Sequence, residues 1–271
     1  MSTAPRRRPG PGWVPNQHGA WAMLLLPVLV GAAHAGPRWW HLLLLTAWLV
    51  AYLGFQAVAL WLRARRRARY LPPARTYAGA AVLLGAATVL TAPSPAELLR
   101  WGVVYAPLLA ASLGYSWRRA DRSLVNDLLM VLAASLMAVV AHATSAPAAV
   151  WTGLGGVAGW LPGGSDPTAW SLAGVLLGYF AGTVLYVKTM IRERGNRRMY
   201  VTSVAYHLGL AAVVLVAGVR GSTVAGLALL FAALAVRAAV VPRVWPRATP
   251  RAVGLGEVAA SVLLGVLLLS A

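Results

Sequence analysis

The stretch WWHLLLLTAWLVAYLGFQAVALWLRARRRARYLPPAR, Trp39 to Arg75, sets two kinds of chain side by side. From Trp39 to Leu62 there is no Asp, Glu, Lys or Arg. As a helix this segment is about 36 Å long at 1.5 Å per residue, enough to cross a hydrocarbon layer of about 30 Å. From Arg63 to Arg75, six of thirteen residues are arginine. Apolar length followed by dense positive charge is how a membrane span meets its cytoplasmic loop, because Lys and Arg resist translocation.

The same alternation runs through the whole chain. Of 24 Lys and Arg residues, 21 fall into five clusters: Arg6 to Arg8, Arg63 to Arg75, Arg118 to Arg122, Lys188 to Arg198, and Arg237 to Arg251. Between successive clusters there is room to cross a membrane and return. Only Arg38, Arg100 and Arg220 fall at the opposite turns. The pattern predicts an all-α, polytopic transmembrane helical bundle of about nine spans, with the N-terminus cytoplasmic and the C-terminus outside. The predicted spans are Ala20 to Ala35, Trp39 to Leu62, Thr76 to Thr91, Glu97 to Ser116, Leu124 to Ala141, Thr168 to Ile191, Tyr200 to Val219, Ser222 to Val240, and Ala252 to Ser270. Residues 1–19 form a basic, Pro-rich cytoplasmic segment, and 20–271 a single transmembrane domain. A cleavage site after the first apolar run is lacking, so that run is expected to be retained. Thr144 to Pro167, rich in Gly, Pro and Trp, is expected outside, as a plain loop or a re-entrant helix.

Composition excludes several classes. The chain is 59% hydrophobic and 11% charged, where a soluble domain carries about a quarter charged residues. Its formal charge of +18 sits at the ends of apolar segments. It reads as contact with anionic lipid head groups, each juxtamembrane Arg contributing about 1 kcal/mol, and not as a nucleic-acid surface. The absence of cysteine removes disulfides, thiolate metal sites and a cysteine nucleophile. No Walker loop, GxSxG or HExxH sequence occurs.

Polar residues in or beside spans need a reason, because they are costly in lipid. Glu97 and Asp166 are expected at the outer edge in water, and Asp121 in a surface ion pair with its neighbouring arginines. Tyr186-Val-Lys-Thr-Met-Ile-Arg-Glu-Arg-Gly-Asn196 closes the sixth span. Four residues apart, Lys188 and Arg192 share a helix face, as do Thr189 and Glu193. Gly195-Asn196 is a stop signal. Two cations on one face suit a phosphate or carboxylate; the alternative is a pair of snorkelling anchors. Lys188 and Glu193 lie about 140° apart on a helix and stack poorly, so Lys188 is expected to use an interhelical partner such as Asp127, or a bound anion. Asn16-Gln17-His18 precedes the first span, where it either caps the helix or lines an anion site. Asn126-Asp127 opens the fifth span on the same side, Gln56 lies in the second, and His207 in the seventh. The candidate pocket therefore gathers Asn16, Gln17, His18, Gln56, Asn126, Asp127, Lys188, Arg192, Glu193, Asn196 and His207 near the cytoplasmic face. His18 and His207 lack the paired spacing that would support haem, so neither a cofactor nor a metal is expected.

Asn16-Gln-His-Gly-Ala-Trp-Ala-Met-Leu-Leu-Leu-Pro27, taken with Tyr186 to Asn196, resembles the YwiC-like family of bacterial integral membrane proteins. The resemblance implies a multi-pass protein of the bacterial cell membrane and no particular reaction. Nine helices, with basic loops after the second and sixth, also resemble the architecture of UbiA prenyltransferases. That likeness implies a prenyl diphosphate site at those two loops, held through Mg²⁺ by Asp-rich motifs. Here the first loop has no acid and the second only Glu193, so arginines would have to hold a diphosphate directly.

Three functions follow as expectations. The first is binding or modification of an anionic isoprenoid or quinone-type lipid. The second is small-molecule transport, favoured by intramembrane polar groups, by Pro27 and Pro107 as helix breaks, and by Asn16-Gln17 echoing Asn126-Asp127. The third is a non-catalytic scaffold.

Overall fold

The computed structural model describes residues 12–13, 20–145, 162–163, 166–217 and 222–270. Nine α-helices lie among them: α1 (Ala20–His34), α2 (Trp39–Arg63), α3 (Leu71–Thr91), α4 (Pro95–Trp117), α5 (Leu124–Ala143), α6 (Pro167–Val187), α7 (Arg197–Ala217), α8 (Ser222–Val244) and α9 (Pro250–Leu269). A 3₁₀ turn over Ala68–Tyr70 leads into α3, and a π turn over Lys188–Arg192 extends α6. Eight helices are long and apolar enough to cross a membrane. The exception is α1, whose 15 residues reach about 22 Å. The described part of the chain thus holds eight span-length helices and one short one, against an expected nine spans.

Local chemistry sets the boundaries. Proline starts four helices, α3, α4, α6 and α9, because its fixed φ suits the first turn and its missing N–H costs nothing there. Pro72-Pro73 starts α3 five residues before the expected Thr76, giving it 21 residues. Pro167 and Pro250 follow the capping residues Asp166 and Thr249, whose side chains accept from Thr168 N and Ala252 N. Ser123 caps α5 by accepting from Asn126 N at 3.2 Å. The ends of α2 and α4 are unusual. Arg66 N–H reaches back to Trp61 O (2.8 Å) and Ala120 N–H to Tyr115 O (2.8 Å), closing each helix by a Schellman motif. The left-handed positions these motifs need are filled by Arg65, Arg66 and Arg119, at φ 55, 59 and 58°, where glycine is the usual occupant. Both α1 and α4 run unbroken through Pro27 and Pro107.

Lipid is as apolar as leucine, so close packing rather than hydrophobicity holds such helices together. The tightest approach is α1 on α5, where a Cβ on Gly31 would overlap the Ala138 carbonyl. Gly54 of α2 similarly lies against the Tyr77–Ala78 backbone of α3, a Cβ there standing 3.3 Å away. One core layer joins Val30 of α1, Val131 of α5, Leu176 and Phe180 of α6, Phe231 of α8 and Leu264 of α9. A second joins Val28, Trp40, Trp101, Met137 and Val139 from α1, α2, α4 and α5.

The charges segregate as the sequence pattern requires. At one end, Arg63 pairs with Asp121 (2.8 Å), Lys188 with Asp127 (2.8 Å), and Arg194 donates to Ala248 O (3.0 Å). At the other end His41 bonds Ser145 (2.9 Å) and Glu97 accepts from Gly163 N–H. Glu97 is buried, at 6% exposed, with Arg100 at 3.6 Å, so it is not in water as expected. Its anchor on Gly163 is the reason. Asp121 bonds across to α2 and not to its own arginines. Most of Thr144 to Pro167 lies outside the described residues. The cysteine-free chain makes topology directly measurable. A single cysteine at Arg69 should be shielded from an impermeant thiol reagent in intact cells, and one at Ser171 should be labelled; the reverse result would invert the orientation.

Candidate functional site

The end of α6 organises the basic face. Glu193 N–H bonds Lys188 O at 2.7 Å, the i→i+5 closure of a π turn, which often marks functional positions. Lys188 is buried at 7% exposed. Its ammonium reaches Asp127 Oδ2 at 2.8 Å and Arg122 O at 2.8 Å. Asn126 accepts from Ser112 Oγ (2.6 Å) and donates to Asp121 O (2.8 Å). Asp121 in turn takes Arg63. One polar chain therefore ties α2, α4, α5 and α6, and Lys188 meets the interhelical carboxylate expected from its position on the helix.

The other candidates disperse. Arg192 is exposed while Lys188 is buried, its ammonium turned to Asp127 and the Arg122 carbonyl. Asn196 donates to Glu193 Oε2 (3.0 Å) and accepts from Arg198 N (3.0 Å) and Met199 N (3.3 Å), which caps α7. Gln56 shares a hydrogen bond with Tyr52 within α2. His207 is buried in α7, its Nδ1 2.7 Å from Ser203 O and its ring over Gly182. Asn16, Gln17 and His18 lie outside the described residues. Among the described residues, no three His, Asp or Glu side chains gather as a metal site.

The structure adds what sequence reading missed. A cleft of about 340 Å³ opens at the basic ends of α6, α7 and α8. Arg194, Arg197 and Arg243 edge it, with Met190, Tyr200, Pro242 and Pro246 as its apolar wall. Among the described residues, no carboxylate lines it. Arg194 is held in place by Met190 O (2.8 Å) and Ala248 O (3.0 Å). Arg243 lies over the Tyr200 ring at 4.9 Å, and Tyr200 is fixed by its hydroxyl bond to Ala239 O (2.8 Å). A second cleft, of about 480 Å³, lies between the ends of α2 and α4. It carries Arg65, Arg66, Arg118 and Arg119, with the exposed Trp117 ring 4.8 Å from Arg66. Arg237, in sequence part of a loop cluster, sits inside α8 facing Glu257 of α9 at 2.6 Å. The signal for this pair was an acid and a base each inside a predicted span, Glu257 and Arg237, where a charge needs a partner.

An all-helical bundle with span-length apolar helices and one strongly basic end defines a multi-pass membrane protein. The chain belongs to the YwiC-like family. The profile of the YwiC-like protein family matches residues 14–142. The chain is 33% identical over 195 residues to the uncharacterized protein YwiC of Bacillus subtilis, covering 72% of this chain and 74% of that one. It is 29% identical over 212 residues to an uncharacterized protein of Haemophilus influenzae, covering 75% and 77%. No solved structure matches, and the likeness to UbiA enzymes rests on helix number and loop position alone.

Proposed function

We propose that this protein binds an anionic amphiphile, an isoprenoid or related lipid with a phosphate or diphosphate head, at the cleft between α6, α7 and α8. The observation that carries the reading is the lining: three arginines without a carboxylate, against a wall of Met190, Tyr200, Pro242 and Pro246. Guanidinium groups bind phosphate bidentately and stay charged. An apolar wall beside them suits a tail. Mg²⁺ is usually held by carboxylates beside substrate phosphates, and the described lining has arginines in their place, so the head's charge is met by arginine. The Lys188–Asp127 junction holds the π turn that presents the cleft and is not itself the anion ligand. The basic end is read as cytoplasmic, in the bacterial cell membrane, with the α2–α4 cleft resting on anionic head groups.

Binding of farnesyl phosphate, dodecyl phosphate and dodecylphosphocholine to protein in nanodiscs tests this. Each charge-assisted bond is worth about 1.5–3 kcal/mol, so Arg197→Gln with Arg243→Gln should weaken both phosphates at least about tenfold. The zwitterionic probe should bind weakly throughout. Equal binding of all three probes to both proteins would favour a scaffold and remove the proposal.

A further inference from the structure

Arg237 and Glu257 each lie seven residues inside the basic ends of α8 and α9, about 10 Å in. Ionisable groups at such depth mark ligand sites or relays more often than structure. The contacts here are those of an occupied but incomplete site. Glu257 is 8% exposed and accepts from Thr183 Oγ1 at 2.9 Å through Oε2. Its Oε1 lies 2.6 Å from Arg237 Nη1, a one-point ion pair. A pair built only for stability would be a fork, with two parallel N–H···O bonds. Among the described residues, Arg237 Nε–H instead has no hydrogen-bond partner. Arg237 keeps 20% of its side chain accessible and lies over the Tyr186 ring at 4.1 Å. An unmatched Nε–H beside a one-point ion pair points to a missing acceptor.

The route to it is short. Met190 lines the cleft and packs with Tyr186 and Ala238 in one apolar layer, and Arg237 lies over the Tyr186 ring.

We infer that Arg237 is an interior anion station behind the cleft, held at rest by Glu257, that takes the phosphate or carboxylate head of the amphiphile. It rests on the proposed function, because the cleft is its entrance. When the head arrives, the Glu257 carboxylate gives up Arg237 and keeps Thr183, while Nε–H gains an acceptor.

Dodecyl phosphate and inorganic phosphate, titrated against protein in nanodiscs, test it. Arg237→Gln with Glu257→Gln removes both charges together and leaves none uncompensated. This double variant should stay folded and bind dodecyl phosphate at least tenfold more weakly. Glu257→Gln alone removes the resident competitor and should bind it several-fold more tightly. Wild-type affinity in the double variant, with loss in the Arg197/Arg243 variant, would overturn the station and leave the cleft standing. Unchanged affinity in both would remove both. If the double variant fails to fold, Glu257→Gln decides: tighter binding supports the station, and unchanged or weaker binding overturns it. Equal affinity for inorganic phosphate would make the ligand a soluble oxyanion and overturn the amphiphile.

Discussion

Gly31→Leu should cost about 3 kcal/mol or more, the upper end of overpacking effects, and leave little folded protein. A Cβ at this position overlaps the backbone carbonyl of Ala138, with Ala138 Cα and C at 2.9 Å. Backbone cannot rotate away as a side chain can, so α1 must lift from α5. That contact joins Val28 and Val30 to both core layers, and loss of packing there spreads through the bundle. Thermal melts in detergent, followed by tryptophan fluorescence, would report it. Gly79→Leu is the matched control: nothing lies within 4 Å of a Cβ there, so its melting point should stay near that of the wild type.

Lys188→Met should cost about 2 kcal/mol. Breaking a buried pair costs roughly 3–5 kcal/mol, and the figure is lowered because the Asp127 side chain is 27% exposed and partly screened by solvent. Adding Asp127→Asn should recover most of the loss, since no charge is then left alone. Dodecyl phosphate binding at the cleft should survive in the double variant, because neither residue touches the ligand. Melting curves and titrations of the single and double variants check both statements. Loss of binding with stability intact would make Lys188 a ligand and not a brace.

These cases show what could be read from the chain. Span positions were legible because apolar length and arginine clusters are one-dimensional signals. Helix starts shifted where Pro72-Pro73 or Pro95 outweighed hydropathy. The Lys188–Asp127 pairing was legible because a buried lysine needs a carboxylate and Glu193 sits on the wrong side of the helix. The different burial of Lys188 and Arg192 was not, since the groups that bury Lys188, Asp127 and the Arg122 carbonyl, are distant in sequence. The cleft was missed for a different reason. Arg194, Arg197 and Arg243 look like topology signals in sequence, and only the meeting of α7 with α8 turns them towards one space. Arg237 was hidden in the same way, by membership of a run that extends into the loop. Glu97 was expected in water because it lies beside a turn, whereas Gly163, distant in sequence, covers it.

Native mass spectrometry of the protein released from its own membrane in mild detergent tests the central claim most directly. A bound species with a phosphate or diphosphate head and a hydrocarbon tail should be present on the wild type and lost from the Arg197→Gln, Arg243→Gln variant. A bound population of only neutral or zwitterionic lipids, or the same anionic species undiminished on the variant, would contradict it.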